Sequence, residues 1–157
     1  MRLTHYTDYA LRTLIYLRLN EPRQATIAEI SRAYGISENH LNKVVHHLGR
    51  LGLVKTSRGR GGGLRLAQPP EKIIVGHVVR RTEDDLALVE CFANGSCAIT
   101  RTCRLRGVLG EALAAFLAVL DRYTLEDLIG HGEGVETAKL LGLFPPPTVA
   151  VEPSRAV

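Results

Sequence analysis

The chain has 157 residues, 45% of them hydrophobic and 23% charged, which excludes a wholly disordered protein. Its length predicts one domain, or one small domain with an appendage. It contains no apolar run of the roughly 18 residues that a membrane span requires, and its first residues do not form a secretory signal. Three cysteines, an odd number, argue against a closed disulfide framework. We therefore expect a soluble, cytoplasmic protein without a membrane partner.

The net charge of +4 is unevenly distributed along the chain. Residues 1–70 contain eleven Lys or Arg and four Asp or Glu, giving +7, whereas residues 71–157 contain nine and twelve, giving −3. The basic half has the sign of a polyanion-binding surface. A surface whose charge only keeps the protein in solution has the same composition, so charge leaves both interpretations open.

Residues 3–19 are predicted to form a first helix, because their apolar side chains recur at helical spacing. Thr4 or Thr7 is placed to cap its start. The apolar stripe comprises Leu3, Tyr6, Ala10, Leu14 and Leu17.

Two shorter helices follow in the basic half. Thr26 and Glu29 form a capping box that opens a helix ending near Gly35. Ser37 is placed to cap a third helix that runs to about Arg50. Two short helices joined by a tight, glycine-containing turn are typical of a helix-turn-helix.

A β-hairpin is predicted after this third helix. Residues 53–56 and 64–67 have strand patterns, and the segment between them is too rich in glycine to be helical. A fourth helix is predicted over residues 71–81. The fold class is therefore mainly α with a small β-hairpin, and residues 1–81 are predicted to form a winged helix-turn-helix domain.

The second half is predicted to be a loop, a long helix and a tail. The loop covers residues 82–103, and residues 104–130 hold a dimerisation helix, from about Cys103 to Tyr123, and a short following helix. The long helix is apolar on most sides, and a second copy of it would cover that surface, so we expect a homodimer. The alternative is the central helix of a monomer. Residues 131–157 are expected to be a partly disordered tail.

The third helix carries the candidate base-reading residues. The second helix of a helix-turn-helix enters the major groove, where its early polar side chains lie nearest the bases. Asn39 is suited to adenine, Lys43 to guanine or a phosphate, and His40 to either, while Ser37 lies at the helix start. Each of these residues, taken alone, is equally compatible with a solvated helix face. A dimer would read two half-sites about one helical turn apart, so double-stranded DNA with an approximate palindrome is the expected target.

The glycine-rich loop carries two further candidate DNA contacts, Arg58 and Arg60. Both lie on a flexible backbone with few side chains, which can approach phosphates or a narrow minor groove. A nucleotide-binding phosphate loop is disfavoured, because the Lys-Ser/Thr ending is missing and no helix follows directly.

Cys91, Cys97 and Cys103 are spaced evenly, with five residues between neighbours. Three thiolates at this spacing can converge on one metal centre. Structural zinc normally shows closer cysteine pairs, and an iron–sulfur cluster requires a fourth donor here. A redox thiol pair and three ordinary loop cysteines remain open as alternatives. Candidate fourth donors are His5, Asp8, His77, Asp84, Asp85 and Glu90.

Four segments together carry a family resemblance. They are residues 1–12, residues 37–45, the loop at 58–67, and the three cysteines. Over about residues 1–130 the chain resembles the iron–sulfur winged-helix transcription regulators. Within that family it is most similar to the nitric-oxide-sensitive repressors, because the histidine ligand of the IscR-like branch is replaced by Arg106.

The resemblance implies a homodimeric repressor with one [4Fe–4S] cluster per subunit. Cys91, Cys97 and Cys103 match the three thiolate ligands, and Asp8 matches a carboxylate ligand that comes from the partner subunit. Nitric oxide is then the signal: it nitrosylates the cluster and releases the operator. Asp8 is also explained as a favourable charge at a helix N-terminus.

Two alternative functions remain open. One is an IscR-like [2Fe–2S] regulator of redox or cluster status, and the other is an iron–sulfur carrier or electron-transfer protein. No nucleophile–base arrangement, carboxylate pair or nucleotide fingerprint is recognisable, so we expect no enzymatic activity.

Overall fold

The computed structural model describes residues 2–59, 61–93, 97–130 and 132–143. Within these residues the chain forms seven α helices and one antiparallel hairpin, which confirms the predicted fold class. None of the helices described is both long and apolar enough to cross a bilayer. The elements are α1 (His5–Leu19), α2 (Ile27–Tyr34), α3 (Glu38–Arg50), β1 (Val54–Ser57), β2 (Gly63–Leu66), α4 (Val75–Thr82), α5 (Glu90–Ala93), α6 (Arg104–Leu120) and α7 (Glu133–Leu140).

The predicted helix caps are present. The Thr4 side chain accepts a backbone N–H at the start of α1, and the Ser37 side chain does the same for α3. Thr26 and Glu29 form the reciprocal capping box of α2, and Gly35 ends that helix with a φ of 65°. These local signals place the boundaries of the helix-turn-helix.

The core lies between α1, α2, α3 and the hairpin. The hairpin pairs Val54 with Leu66, and Leu64 also forms a bridge with Ala25, just before α2. That bridge attaches the hairpin to the helix-turn-helix through two backbone hydrogen bonds of 2.9 and 2.7 Å. The fully buried side chains include Ala10, Leu14, Ala25, Ile30, Leu41, Val44 and Leu48, all at 0% exposure.

The predicted helix at 71–81 is wrong in its first half. Residues Pro70–Lys72 form a single 3-10 turn, and α4 begins only at Val75. Between them Ile73 is 2% exposed, and its carbonyl oxygen accepts the Leu125 N–H at 2.8 Å. This pairing with a distant segment outweighs local helix propensity.

The chain after α6 also differs from the prediction. The expected short helix before residue 130 is a series of turns, and a helix, α7, lies inside the expected tail. Ala138 of α7 is 3% exposed, and Leu141 and Leu143 pack against the core. Burial of these side chains orders a segment whose sequence has few helix signals. The part of the expected tail from residue 144 onward lies outside the described residues.

Two bidentate ion pairs fix the C-terminal end of α6 to the winged domain. The Arg18 guanidinium donates to both carboxylate oxygens of Glu126, at 2.6 and 3.0 Å. Arg80 does the same to Asp121, at 2.5 and 2.7 Å. These hydrogen bonds hold the pKa of Glu126 and of Asp121 below their usual values. The end of α6 is thereby joined to both α1 and α4.

Gly76 leaves the space that Asp121 occupies. A Cβ atom on Gly76 would collide with Asp121 Oδ1 and would lie 3.0 Å from Arg80 Nη1. We expect Gly76→Ala to lower the free energy of unfolding in urea, because Asp121 must leave its arginine. Gly49→Ala is the control, since its Cβ meets only the Val54 carbonyl at 3.8 Å. That variant should gain about 0.5–1 kcal/mol from helix propensity. Equal gains in the two variants would contradict this account.

Candidate DNA-binding surface and cysteine loop

The predicted base-reading residues lie together at the exposed start of α3. Ser37 is its cap, and Asn39, His40 and Lys43 are exposed in its first two turns. The opposite side of α3 is buried in the core, so these polar side chains are directed outward. This is the placement that a base-reading helix requires.

The hairpin loop places Arg58 in solvent, beside the helix-turn-helix; Arg60 lies outside the described residues. The sequence indicated a flexible loop, but its base is tightly packed. Gly59 and Gly61 have φ values of 98° and 81°, which favour glycine. A Cβ on Gly62 would collide with the Ser57 carbonyl. The glycines are therefore required by the backbone path of the wing.

Sequence reasoning missed the polar residues in the second half of α3. Asn42, His46 and Arg50 are exposed and continue the outward face beyond Lys43. With Tyr6 and His47 they line an open recess of about 480 Å³. Basic side chains three to four residues apart were the available signal, and they suit a row of phosphates.

Two aromatic residues of α1 contact α3. The Tyr6 hydroxyl donates to the carbonyl oxygen of Lys43 at 3.3 Å and lies 3.0 Å from His47 Nδ1. One turn further along, the Tyr9 ring lies 6.1 Å from the His40 ring, centroid to centroid. Helix α1 therefore contacts α3 at two positions about one turn apart.

Asp8, the predicted carboxylate ligand, lies in the first turn of α1 and is half-buried. Its Oδ1 accepts a hydrogen bond from Arg12 Nε at 3.0 Å. The Arg12 guanidinium in turn lies 5.6 Å from the centre of the Tyr34 ring, at the end of α2. Burial raises the pKa of Tyr34 to about 12, so it stays neutral beneath the cation. Among the described residues, Asp8 belongs to no group of three His, Cys, Asp or Glu side chains that could hold a metal ion.

The three cysteines lie around the start of α6. Cys91 is in α5, Cys97 is in the loop, and Cys103 immediately precedes α6. All three are free thiols; Cys97 is exposed and the others are half-buried. Among the residues that the structure describes, no three His, Cys, Asp or Glu side chains are grouped closely enough to hold a metal ion.

The donor chemistry nevertheless fits an iron–sulfur cluster, because thiolates are its usual ligands and all three thiols are available. Arg106 has a different contact: its guanidinium lies 6.0 Å from the centre of the Phe92 ring. That contact holds α5, and with it Cys91, against the first turn of α6. Phe92, Arg101, Cys103 and Arg106 share an open recess of about 620 Å³.

The fold and these two sites agree with the comparisons to known proteins. Residues 3–131 match the model of the Rrf2 family, described as an iron-dependent transcriptional regulator. The chain belongs to the Rrf2 family. This Rrf2 protein is also 54% identical over 138 residues to the HTH-type transcriptional regulator NsrR of Bacillus subtilis, covering 86% of this chain and 94% of that one. It is therefore a DNA-binding transcriptional regulator and not an enzyme, as the sequence predicted.

Solved structures confirm the fold of this Rrf2 protein. CymR, the global cysteine regulator of B. subtilis, has a TM-score of 0.67 at 28% identity, covering 82% of this chain and 95% of that one. IscR of T. potens has a TM-score of 0.67 at 25% identity, covering 82% of this chain and 85% of that one. The winged helix-turn-helix is thus shared with both of these regulators.

The packing of Gly62 gives a test of the wing. We expect Gly62→Ala to displace the hairpin loop, because the atoms nearest the new Cβ are all backbone. The Leu64 amide, which donates to the Ala25 carbonyl at 2.7 Å, should then exchange faster with deuterium. In Gly49→Ala the same amide should keep its native protection. Native exchange of Leu64 in the Gly62 variant would show that the wing has room for a side chain.

Proposed function

We propose that this Rrf2 protein is a nitric-oxide-sensing repressor that binds a palindromic operator as a homodimer. The observation that carries the proposal is the position of three free thiols at one end of α6, whose other end is joined to the DNA-reading domain. The similarity to NsrR proteins supports nitric oxide as the proposed signal. Cys91, Cys97 and Cys103, with Asp8 of the partner subunit, would hold one [4Fe–4S] cluster per chain.

The surface of α6 supports dimerisation. None of its 17 residues is buried, although most are apolar. Leu105 is 62% exposed, Val108 59% and Val119 44%. Apolar side chains in such a continuous row are stabilised by a second apolar surface. A second copy of α6 would supply one, and the proposed ligand role of Asp8 requires that this pairing bring the first turn of each α1 near the other chain's cysteines.

Asp8 would then have two competing partners, iron and Arg12. When bound, the cluster supplies iron that binds nitric oxide, and carboxylate is the hardest and weakest of its protein ligands. An Asp8 carboxylate that is not bound to iron would keep the observed hydrogen bond from Arg12, the cation that lies against Tyr34 of α2. The signal thereby reaches the helix-turn-helix through α1.

The DNA contacts proposed are Ser37, Asn39, His40 and Lys43 on α3, with Arg58 and Arg60 on the wing. The exposed Asn42, His46 and Arg50 extend the same face and would bind phosphates.

The decisive experiment uses protein purified without oxygen. We expect about four iron and four sulfide per chain, and release of operator DNA as nitric oxide bleaches the visible spectrum. About two iron per chain, with a [2Fe–2S] resonance Raman spectrum, would favour the IscR-like alternative. A colourless protein that binds DNA would rule out a cluster-based repressor.

Asp8→Ala tests the fourth ligand. We expect a protein that still binds iron through its cysteines but has a changed visible spectrum and loses its cluster faster. Asp84→Ala is the control, because this exposed carboxylate was also a candidate donor. An unchanged spectrum and nitric oxide response in the Asp8 variant would remove Asp8 from the ligand set.

Arg58→Ala tests the wing. Loss of one phosphate contact should weaken operator and random DNA alike, and reduce the slope of log affinity against log salt by about 1. Arg122→Ala removes an exposed arginine beyond α6 and should change neither quantity. Undiminished affinity in the Arg58 variant would mean that this side chain does not contact DNA.

A further inference from the structure

The Tyr6 hydroxyl contacts the middle of the recognition helix. The Tyr6 hydroxyl donates to the carbonyl oxygen of Lys43 at 3.3 Å, and its own oxygen lies 3.0 Å from His47 Nδ1. Because the hydroxyl proton is used on Lys43, the Nδ1–H of His47 is the donor in the second contact. The two rings also lie 5.8 Å apart, centroid to centroid. The Tyr6 hydroxyl thus contacts two residues of α3, Lys43 and His47, which lie one turn apart.

This contact is made by the segment of α1 that carries Asp8. Tyr6 precedes Asp8 by two residues, and Tyr9 follows it by one and lies against His40. Any displacement of the first two turns of α1 is therefore applied to α3 directly. Burial, with the negative charge of Asp84, raises the pKa of Tyr6, so its hydroxyl keeps its proton at neutral pH.

The contact is also directional, unlike the apolar packing around it. Leu41, Val44 and Leu48 bury the inner side of α3, and the hydrophobic effect that stabilises this burial has no preferred direction. A hydrogen bond to one chosen carbonyl oxygen fixes both the height and the rotation of α3 relative to α1. The hydrogen bond from Tyr6 is made to Lys43 itself. The positions of the Lys43 side chain and of the Asn39 side chain, one turn earlier on α3, therefore depend on this hydrogen bond.

We infer that Tyr6 is a positioning residue, whose hydroxyl transmits movement of the Asp8 end of α1 to the placement of α3 on DNA. The inference rests on the proposed function and adds the path by which the signal reaches the base-reading side chains. Tyr6 itself contacts neither iron nor bases in this scheme.

Tyr6→Phe removes the hydroxyl and keeps the ring. Tyr16→Phe is the matched control on the same helix, because the Tyr16 ring rests on Tyr34 and its hydroxyl makes no hydrogen bond in the described part of the chain. The measurement is the affinity for operator and for random DNA, each with cluster-loaded and cluster-free protein, together with iron content and melting temperature.

We expect Tyr6→Phe to lose up to about fivefold in operator affinity, the limit reached when the whole energy of one net hydrogen bond serves to hold α3 in its DNA-binding position, with random DNA unaffected. Random DNA reports phosphate contacts only, so a fall in the operator-to-random ratio reports the position of α3 and not general damage. In Tyr6→Phe, the difference in operator affinity between cluster-loaded and cluster-free protein should also be smaller than in the native protein. Tyr16→Phe should behave as the native protein does.

A native operator-to-random ratio and a native difference between cluster states in Tyr6→Phe would overturn the inference. If the native protein binds operator equally with and without cluster, the proposed regulation fails. The positioning role of Tyr6 is then tested by the operator-to-random affinity ratio alone. A lower ratio in Tyr6→Phe supports the role, and a native ratio overturns it. Equal losses on operator and random DNA would also overturn it, because they would indicate damage to the whole domain.

Discussion

The attachment of the C-terminal end of α6 to the winged domain is the constraint on which the rest of the structure depends. Two arginines, one on α1 and one on α4, each hold a carboxylate in the segment that follows α6. Between these pairs the backbone of Ile73 and Val75 bonds to Tyr123 and Leu125. These contacts fix the orientation of α6, which has no buried residue of its own, relative to α1 and α4.

Sequence-based prediction succeeded where the determining contacts are local. The caps at Thr4, Thr26 and Ser37, and the end of α2 at Gly35, are decided within four residues, so their signals are visible in the sequence. The inner face of α3 follows from helical periodicity in the same way. These local rules sufficed for the winged helix-turn-helix, which contains the proposed DNA contacts.

The errors have a common cause, which is pairing between segments far apart in the chain. The helix predicted from residue 71 starts late because Ile73 bonds to Leu125, 52 positions away. Helix α7 packs against α1 and buries Ala138, and no residue close to it in the sequence predicts this packing. The contact of Tyr6 with Lys43 was missed for the same reason: the sequence places Tyr6 on an apolar stripe and does not show that its hydroxyl meets a carbonyl. The cysteine loop is a further case, since its proposed fourth ligand belongs to another chain.

The two ion pairs and the cysteines lie at opposite ends of α6, so a small rotation at the ion pairs becomes a larger displacement at the cysteines. Its 17 residues span about 25 Å, and the cysteines lie at the end away from the two ion pairs. A rotation of about 5° at the attached end moves the distant end by about 2 Å over that length. In the reverse direction, a displacement of Cys103 by one bond length requires only a small angular change where α6 meets α1 and α4. The long arm therefore lets the loop rearrange by ångströms while the ion pairs and the core that they border remain in place.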